Sequence, residues 1–162
     1  MTTKLSWSEY NKTPYDTFMW KGLDGSEVLT HFVPTRDLVG DEHHALSYFT
    51  TYNGDVNPSQ IAGGWNRFQQ KDVDNQFLVS YGFGDGGGGP TEKMLEYQRR
   101  MSHQMPGMPK TRQSTAHKFF EELGERVGGN KRLPKWSGEL YLEYHRGTYT
   151  AVAKNKRNNR KI

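Results

Sequence analysis

The sequence predicts an α/β fold built on a parallel sheet, and three observations carry that prediction. Short apolar runs alternate with longer segments of helical spacing along most of the 162 residues, the pattern of βαβ units. Gln76-Phe-Leu-Val-Ser-Tyr81 is mostly apolar and stops at a glycine-rich loop, as a strand buried in a parallel sheet does. Ala116–Val127 carries Phe119, Phe120, Leu123 and Val127 on one stripe, the mark of a helix lying on a core.

The elements follow in order. Trp20-Lys-Gly-Leu-Asp24-Gly-Ser reads as a hairpin turn, with Asp24-Gly25 supplying the turn chemistry. A strand over Val28–Val33 follows and is stopped by Pro34. Asn57-Pro58 opens a helix, with Asn as cap and Pro in the first turn, and Ile61, Trp65 and Phe68 keep helical spacing. After the Gln76–Tyr81 strand, Thr91–Met105 is expected as a helix with Met94, Leu95, Met101 and Met105 on or near one stripe. Thr111–Thr115 is expected as a short strand. Gly128-Gly129 ends the Ala116–Val127 helix. Glu139–Tyr144 alternates like a strand, and residues from Tyr149 onward have helical character.

Composition narrows the function classes. Apolar residues make 33% of the chain, about 44% with the 18 glycines counted, and aromatics 13%, which fits a folded domain with one core. The net charge is +4, and Lys154, Lys156, Arg157, Arg160 and Lys161 all fall in the last ten residues. The other residues are nearly neutral, so no broad nucleic-acid footprint exists. With no cysteine, disulfides and thiolate metal sites are excluded, and any metal must use His, Asp or Glu. The N-terminus has no signal-type apolar stretch, and no run of about 18 apolar residues exists to cross a bilayer. A cytoplasmic chain without membrane contact is expected.

Two segments follow expected strand ends, where active sites of parallel α/β folds lie. One is Gly82-Phe-Gly-Asp-Gly-Gly-Gly-Gly-Pro90, whose glycines allow close backbone approach and whose Asp85 projects a carboxyl. Read as a phosphate cradle, it lacks the lysine that closes a P-loop. The other is His145–Thr150, with His145 a candidate metal ligand, acid or base. Thr51-Tyr-Asn-Gly-Asp55 is a turn-like cluster with one further carboxylate. His31 lies inside a strand as a core candidate, His43-His44 are loop residues, and His103 and His117 belong to helices.

Four blocks in series give a resemblance over nearly the whole chain: Tyr15–Phe32, Thr51–Val56, Gly82–Thr91 and Trp136–Thr150. Together they resemble glycoside hydrolase family 38, in its bacterial and cytosolic-type α-mannosidase branch. The resemblance implies an internal fragment of a partial seven-stranded parallel (β/α) barrel-like domain running into the first helix of a helical bundle. Residues 1–135 are then the C-terminal part of the catalytic α/β domain. Residues 136–162 are the last strand, its active-site loop and the start of the middle helical domain.

It further implies a retaining hydrolase of terminal α-mannosides that uses two carboxyl groups and one zinc ion bound by two aspartates and two histidines. By resemblance Asp85 is the acid/base candidate and Asp55 its rival. Gly86, Gly87, Arg146 and Tyr149 are substrate-binding positions, and His145 is the late zinc ligand. The family's His-X-Asp zinc motif and its nucleophile block have no counterpart in this sequence, so the segment alone is expected to be inactive and not to retain zinc. The alternative is an inactive carbohydrate-binding or assembly module derived from the same fold. An oligosaccharide is the expected partner, nucleic acid and membrane are not, and homo-oligomerisation stays open.

Overall fold

A computed structural model describes residues 4–8, 10, 12–36, 50–84, 86–140, 142 and 152–161. The hairpin forms as the Asp24-Gly25 turn dictates. β1 (Thr17–Lys21) and β2 (Glu27–His31) pair antiparallel in a register running from Thr17 opposite His31 to Lys21 opposite Glu27. Gly25 takes a left-handed φ of 86°, and Asp24 Oδ1 accepts the Ser26 N–H and hydroxyl at 3.0 and 2.6 Å, which closes the turn. β3 (Lys135–Ser137) lies parallel to β1 on its other edge, Trp20 opposite Trp136, so the sheet order is β2-β1-β3.

The expected parallel sheet is therefore corrected. Among the described residues it is a three-stranded sheet of mixed direction, accompanied by four α-helices. Residues 76–80, expected as the clearest strand, run without a ladder. One parallel bridge, Gly54 with Tyr81, ends the segment. The reason lies in what meets its backbone: the Leu78 N–H donates to the His31 ring at 3.2 Å instead of to a neighbouring strand. Its other flank lines an open groove of about 870 Å³ together with Trp65, Met105 and Met108. Thr111–Thr115 is likewise not a strand. Thr111 turns its hydroxyl to the Gln98 carbonyl, and Thr115 is used as a helix cap. Of the strand expected over 139–144, residues 139, 140 and 142 are not in a strand and the others lie outside the described residues.

The helices follow their sequence signals closely. α1 (Pro58–Arg67) is capped by Asn57, whose side chain accepts the Gln60 N–H. α2 (Glu92–Met101) is capped by Thr91 and ends four residues earlier than expected, since Gln104 takes a left-handed φ of 59° and Pro106 follows. α3 (Ala116–Val127) keeps the expected bounds, capped by Thr115. α4 (Ala153–Asn159) is exposed and basic.

Three buried clusters make the core. Phe18, Phe32 and Leu140 gather behind the sheet, Val56, Ile61 and Met101 lie between α1 and α2, and Phe119, Leu123 and Val127 hold α3 against Leu29 and Leu78. Asp74, with its side chain 1% exposed, is paired bidentately with Arg126 of α3 at 2.8 and 3.0 Å, so the buried carboxylate is compensated.

Candidate functional site

The segment 76–81 delivers the glycine-rich loop to the Thr51–Asp55 block. Gly54 N–H donates to Ser80 O, and Gly82 N–H donates to Gly54 O, both at 3.0 Å. A Cβ at Gly54 would sit 2.6 Å from Ser80 O, closer than real carbon–oxygen contacts, so only glycine permits this approach. Gly54→Ala should cost about 1–3 kcal/mol by forced displacement, read as a lower urea midpoint at unchanged slope. A midpoint equal to that of the parent would show the contact to be slack.

The loop then closes on itself. Phe83 and Gly88 exchange both backbone hydrogen bonds, at 3.0 and 2.9 Å, while Gly82 and Gly87 take φ of 105° and 72°. Gly86, Gly87 and Gly89 are exposed, and a Cβ on any of them would meet nothing within 4 Å. The space beside them is open. Gly84 is different: its N–H donates to Asn53 Oδ1 at 2.6 Å, and a Cβ there would lie 2.9 Å from the Tyr52 ring. Phe83 stands half-exposed at the loop's base.

Asp55 sits at the entry to α1. Its Oδ2 accepts the Asn57 side-chain amide at 3.0 Å. Gln60, 3% exposed, accepts both the Asp55 N–H at 2.6 Å and the Val56 N–H at 3.0 Å, and donates to Arg36 O at 3.1 Å. Val56 has a φ of 53°, a left-handed conformation that a β-branched residue adopts at a cost of about 1–3 kcal/mol. The buried Gln60 side chain offsets that strain by pairing two amides that would otherwise be orphaned.

Both expected carboxylate blocks are therefore neighbours. A scan against family models matches residues 1–139 to the glycosyl hydrolases family 38 N-terminal domain. The chain belongs to glycosyl hydrolase family 38.

Relatives of this family 38 chain agree with the match. It is 42% identical over 162 residues to alpha-mannosidase G of Dictyostelium discoideum, covering 99% of this chain and 13% of that protein. It is 38% identical to an alpha-mannosidase of Saccharomyces cerevisiae, covering 97% and 14%, and 39% identical to human alpha-mannosidase 2C1, covering 99% and 14%. The chain thus spans about one seventh of the length of these relatives.

Of the site residues expected from sequence, Asp55, Gly86 and Gly87 are placed as above, whereas Asp85, His145, Arg146 and Tyr149 lie outside the described residues. Among the described residues no group of three or more His, Asp or Glu side chains converges to hold a metal. Two of the three described histidines are already engaged. His117 pairs with Glu121 on the exposed face of α3, and both ring nitrogens of His31 are engaged inside the core. The described residues therefore do not fit a zinc site. Burial lifts the Asp16 carboxyl above its usual range, but its Oδ2 is bound to the Gln69 N–H at 2.9 Å, a structural tie. Among the described residues no helix is long and apolar enough to cross a membrane.

Asn53 and Gln60 were not legible as site residues. Gln60 had a signal: Asn57-Pro-Ser-Gln60 has capping-box spacing, which marks the fourth residue as one that reaches back to the chain before the helix. Asn53 had only the composition of a turn.

Proposed function

We propose that this chain is the acid/base and late-ligand segment of a longer, zinc-dependent retaining α-mannosidase of the cytosolic type, acting on terminal α-mannosides of oligosaccharides. The observation that carries the reading is the pairing of the Thr51–Asp55 block with the glycine loop through Gly54. The glycine loop so held has open space beside Gly86, Gly87 and Gly89, and half-exposed Phe83 at its base offers an apolar ring, of the kind sugars stack on. The names of the relatives support the substrate class.

Asp85 is the proposed general acid. It gives a proton to the leaving-group oxygen, and its carboxylate then takes one from the water that hydrolyses the glycosyl-enzyme. Retention requires its partner nucleophile at about 5–5.5 Å, and that residue would come from elsewhere in the longer polypeptide. Gly86, Gly87, Arg146 and Tyr149 are the proposed substrate contacts. His145 is proposed as this segment's zinc ligand, the remaining three or so coming from the rest of the protein. Zinc, when bound, would hold sugar hydroxyls.

The test uses the full-length polypeptide and an aryl α-mannoside, with the first-formed product observed by NMR. An α-anomer at first, loss of turnover with a chelator, and sub-stoichiometric zinc in His145→Ala are expected. A β-anomer at first would overturn the retaining mechanism, and stoichiometric zinc in His145→Ala would overturn the ligand assignment. Sugar binding without turnover would instead identify an inactive carbohydrate-binding module.

A further inference from the structure

We propose that Arg36 and Arg67 form a binding site for a phosphate group, in a pocket that shares no residue with the glycine loop. The inference stands apart from the mannosidase reading. The pocket, of about 150 Å³, is walled by residues from 6–16, 32–36, 50 and 67–69, stretches far apart in the sequence. It has room for about five waters at ~30 Å³ each, and so for one tetrahedral oxyanion. An anion seated there would tie the N-terminal stretch to Arg36 and to the end of α1.

What marks this pocket is like charge without a counter-charge. Arg99, Arg100, Arg112 and Arg126 each pair with a carboxylate. Arg36 and Arg67 are half-buried and, among the described residues, make no ion pair. Arg67 donates through Nε to the Pro34 carbonyl at 3.0 Å, which anchors the guanidinium and leaves its terminal nitrogens for a ligand. Partial burial, with the positive charge of Arg36 adding to it, lowers the Arg67 pKa, so the two cations lie within each other's field. Holding like charges together away from bulk water is unfavourable, and an anion between them removes that cost. A phosphomonoester carries about −1.5 to −2 at pH 7, and its oxygens accept forked N–H pairs from guanidinium groups. Asp16 lines the same pocket, but its Oδ2 accepts the Gln69 N–H at 2.9 Å, and Lys12, also in the lining, offsets its charge. Thr13 Oγ1 accepts the Tyr15 N–H at 3.2 Å and keeps its own proton to donate.

Calorimetric titration of the full-length polypeptide reads the site directly, with inorganic phosphate and a hexose 6-phosphate as probes and chloride holding the ionic strength at about 0.15 M. A saturable site with a Kd of about 0.1–1 mM is expected. Arg36→Gln should weaken it by about tenfold or more, and Arg67→Gln likewise. Arg36→Lys keeps the charge without the fork and should recover part of the affinity. Among the described residues the Arg36 side chain holds no other group, so Arg36→Gln should melt at the parent's temperature in the absence of phosphate, which separates lost binding from lost fold. Tighter binding of the hexose phosphate would identify a phosphomonoester as the ligand, and equal affinity would identify free phosphate; either supports the site. Absence of a saturable site at this ionic strength overturns the proposal. So does a Kd that neither Arg36→Gln nor Arg67→Gln changes, since the phosphate then binds elsewhere.

Discussion

Asp85→Asn in the full-length enzyme should slow hydrolysis of mannosides with poor leaving groups by about 10²–10⁴-fold, the usual worth of a positioned general acid. Substrates with very acidic leaving groups should keep much more of their kcat/KM. The asymmetry is the informative part. An alkoxide leaving group must be protonated as the glycosidic bond breaks, whereas an acidic phenol departs without help, so removing the acid separates the two classes. Azide should restore part of the turnover, because an anion needs no base to attack the glycosyl-enzyme. Asp55→Asn is the control with a different expectation. Its carboxylate is held by the Asn57 amide, and its backbone is held by Gln60 at the strained Val56, so its loss should lower all substrates alike. A steep leaving-group dependence in Asp55→Asn and a flat one in Asp85→Asn would exchange the two roles.

What the sequence revealed of this architecture depended on how local its causes are. Helices α1 and α3 and the first hairpin were readable because their determinants lie within a few residues: Asn57-Pro58, the Phe119–Leu123–Val127 stripe, and Asp24-Gly25. Strand pairing is not local. Gln76–Tyr81 has the composition of a buried strand, yet its amide at Leu78 is taken by a histidine 47 residues away, and no period in the sequence reports that. β3 was missed because the alternation of Lys135–Ser137 lasts only three residues, too short to mark a strand, and their parallel pairing with β1 spans more than a hundred positions. The site divides in the same way. Its glycines and carboxylates stood out by composition, whereas Asn53 and Gln60 matter only through partners that the fold brings to them.

That histidine also makes the chain sensitive to acid. His31 is fully buried between Phe68 and Phe119, with ring centroids at 5.9 and 5.0 Å. The Leu78 N–H points at its Nε2, so Nε2 must accept, and the neutral ring carries its proton on Nδ1, donated to Thr17 Oγ1 at 2.8 Å. A second proton would have to enter at Nε2 against an N–H already aimed there. Desolvation, with the positive charge of Arg126 adding to it, accordingly pulls the His31 pKa from 6.5 down to about 3.

The linkage sign follows from that depression. Between about pH 3 and 6.5 the unfolded chain binds the proton and the folded chain does not, so stability rises with pH. The contribution is complete above pH 6.5 and is lost as pH falls through that window, at up to about 1.4 kcal/mol per pH unit. By about pH 4.5 the loss should approach about 3 kcal/mol, a large share of a typical domain's stability. Urea unfolding of the parent and of His31→Gln, whose amide can still accept from Leu78 without titrating, isolates the term. The parent should lose stability on going from about pH 7 to 4.5 and the variant should lose less, the gap matching the His31 share. Parallel curves would show that His31 does not carry the acid sensitivity. Because the same ring holds Leu78, the first amide to lose protection on acidification, measured against its intrinsic exchange rate at each pH, should be that of Leu78.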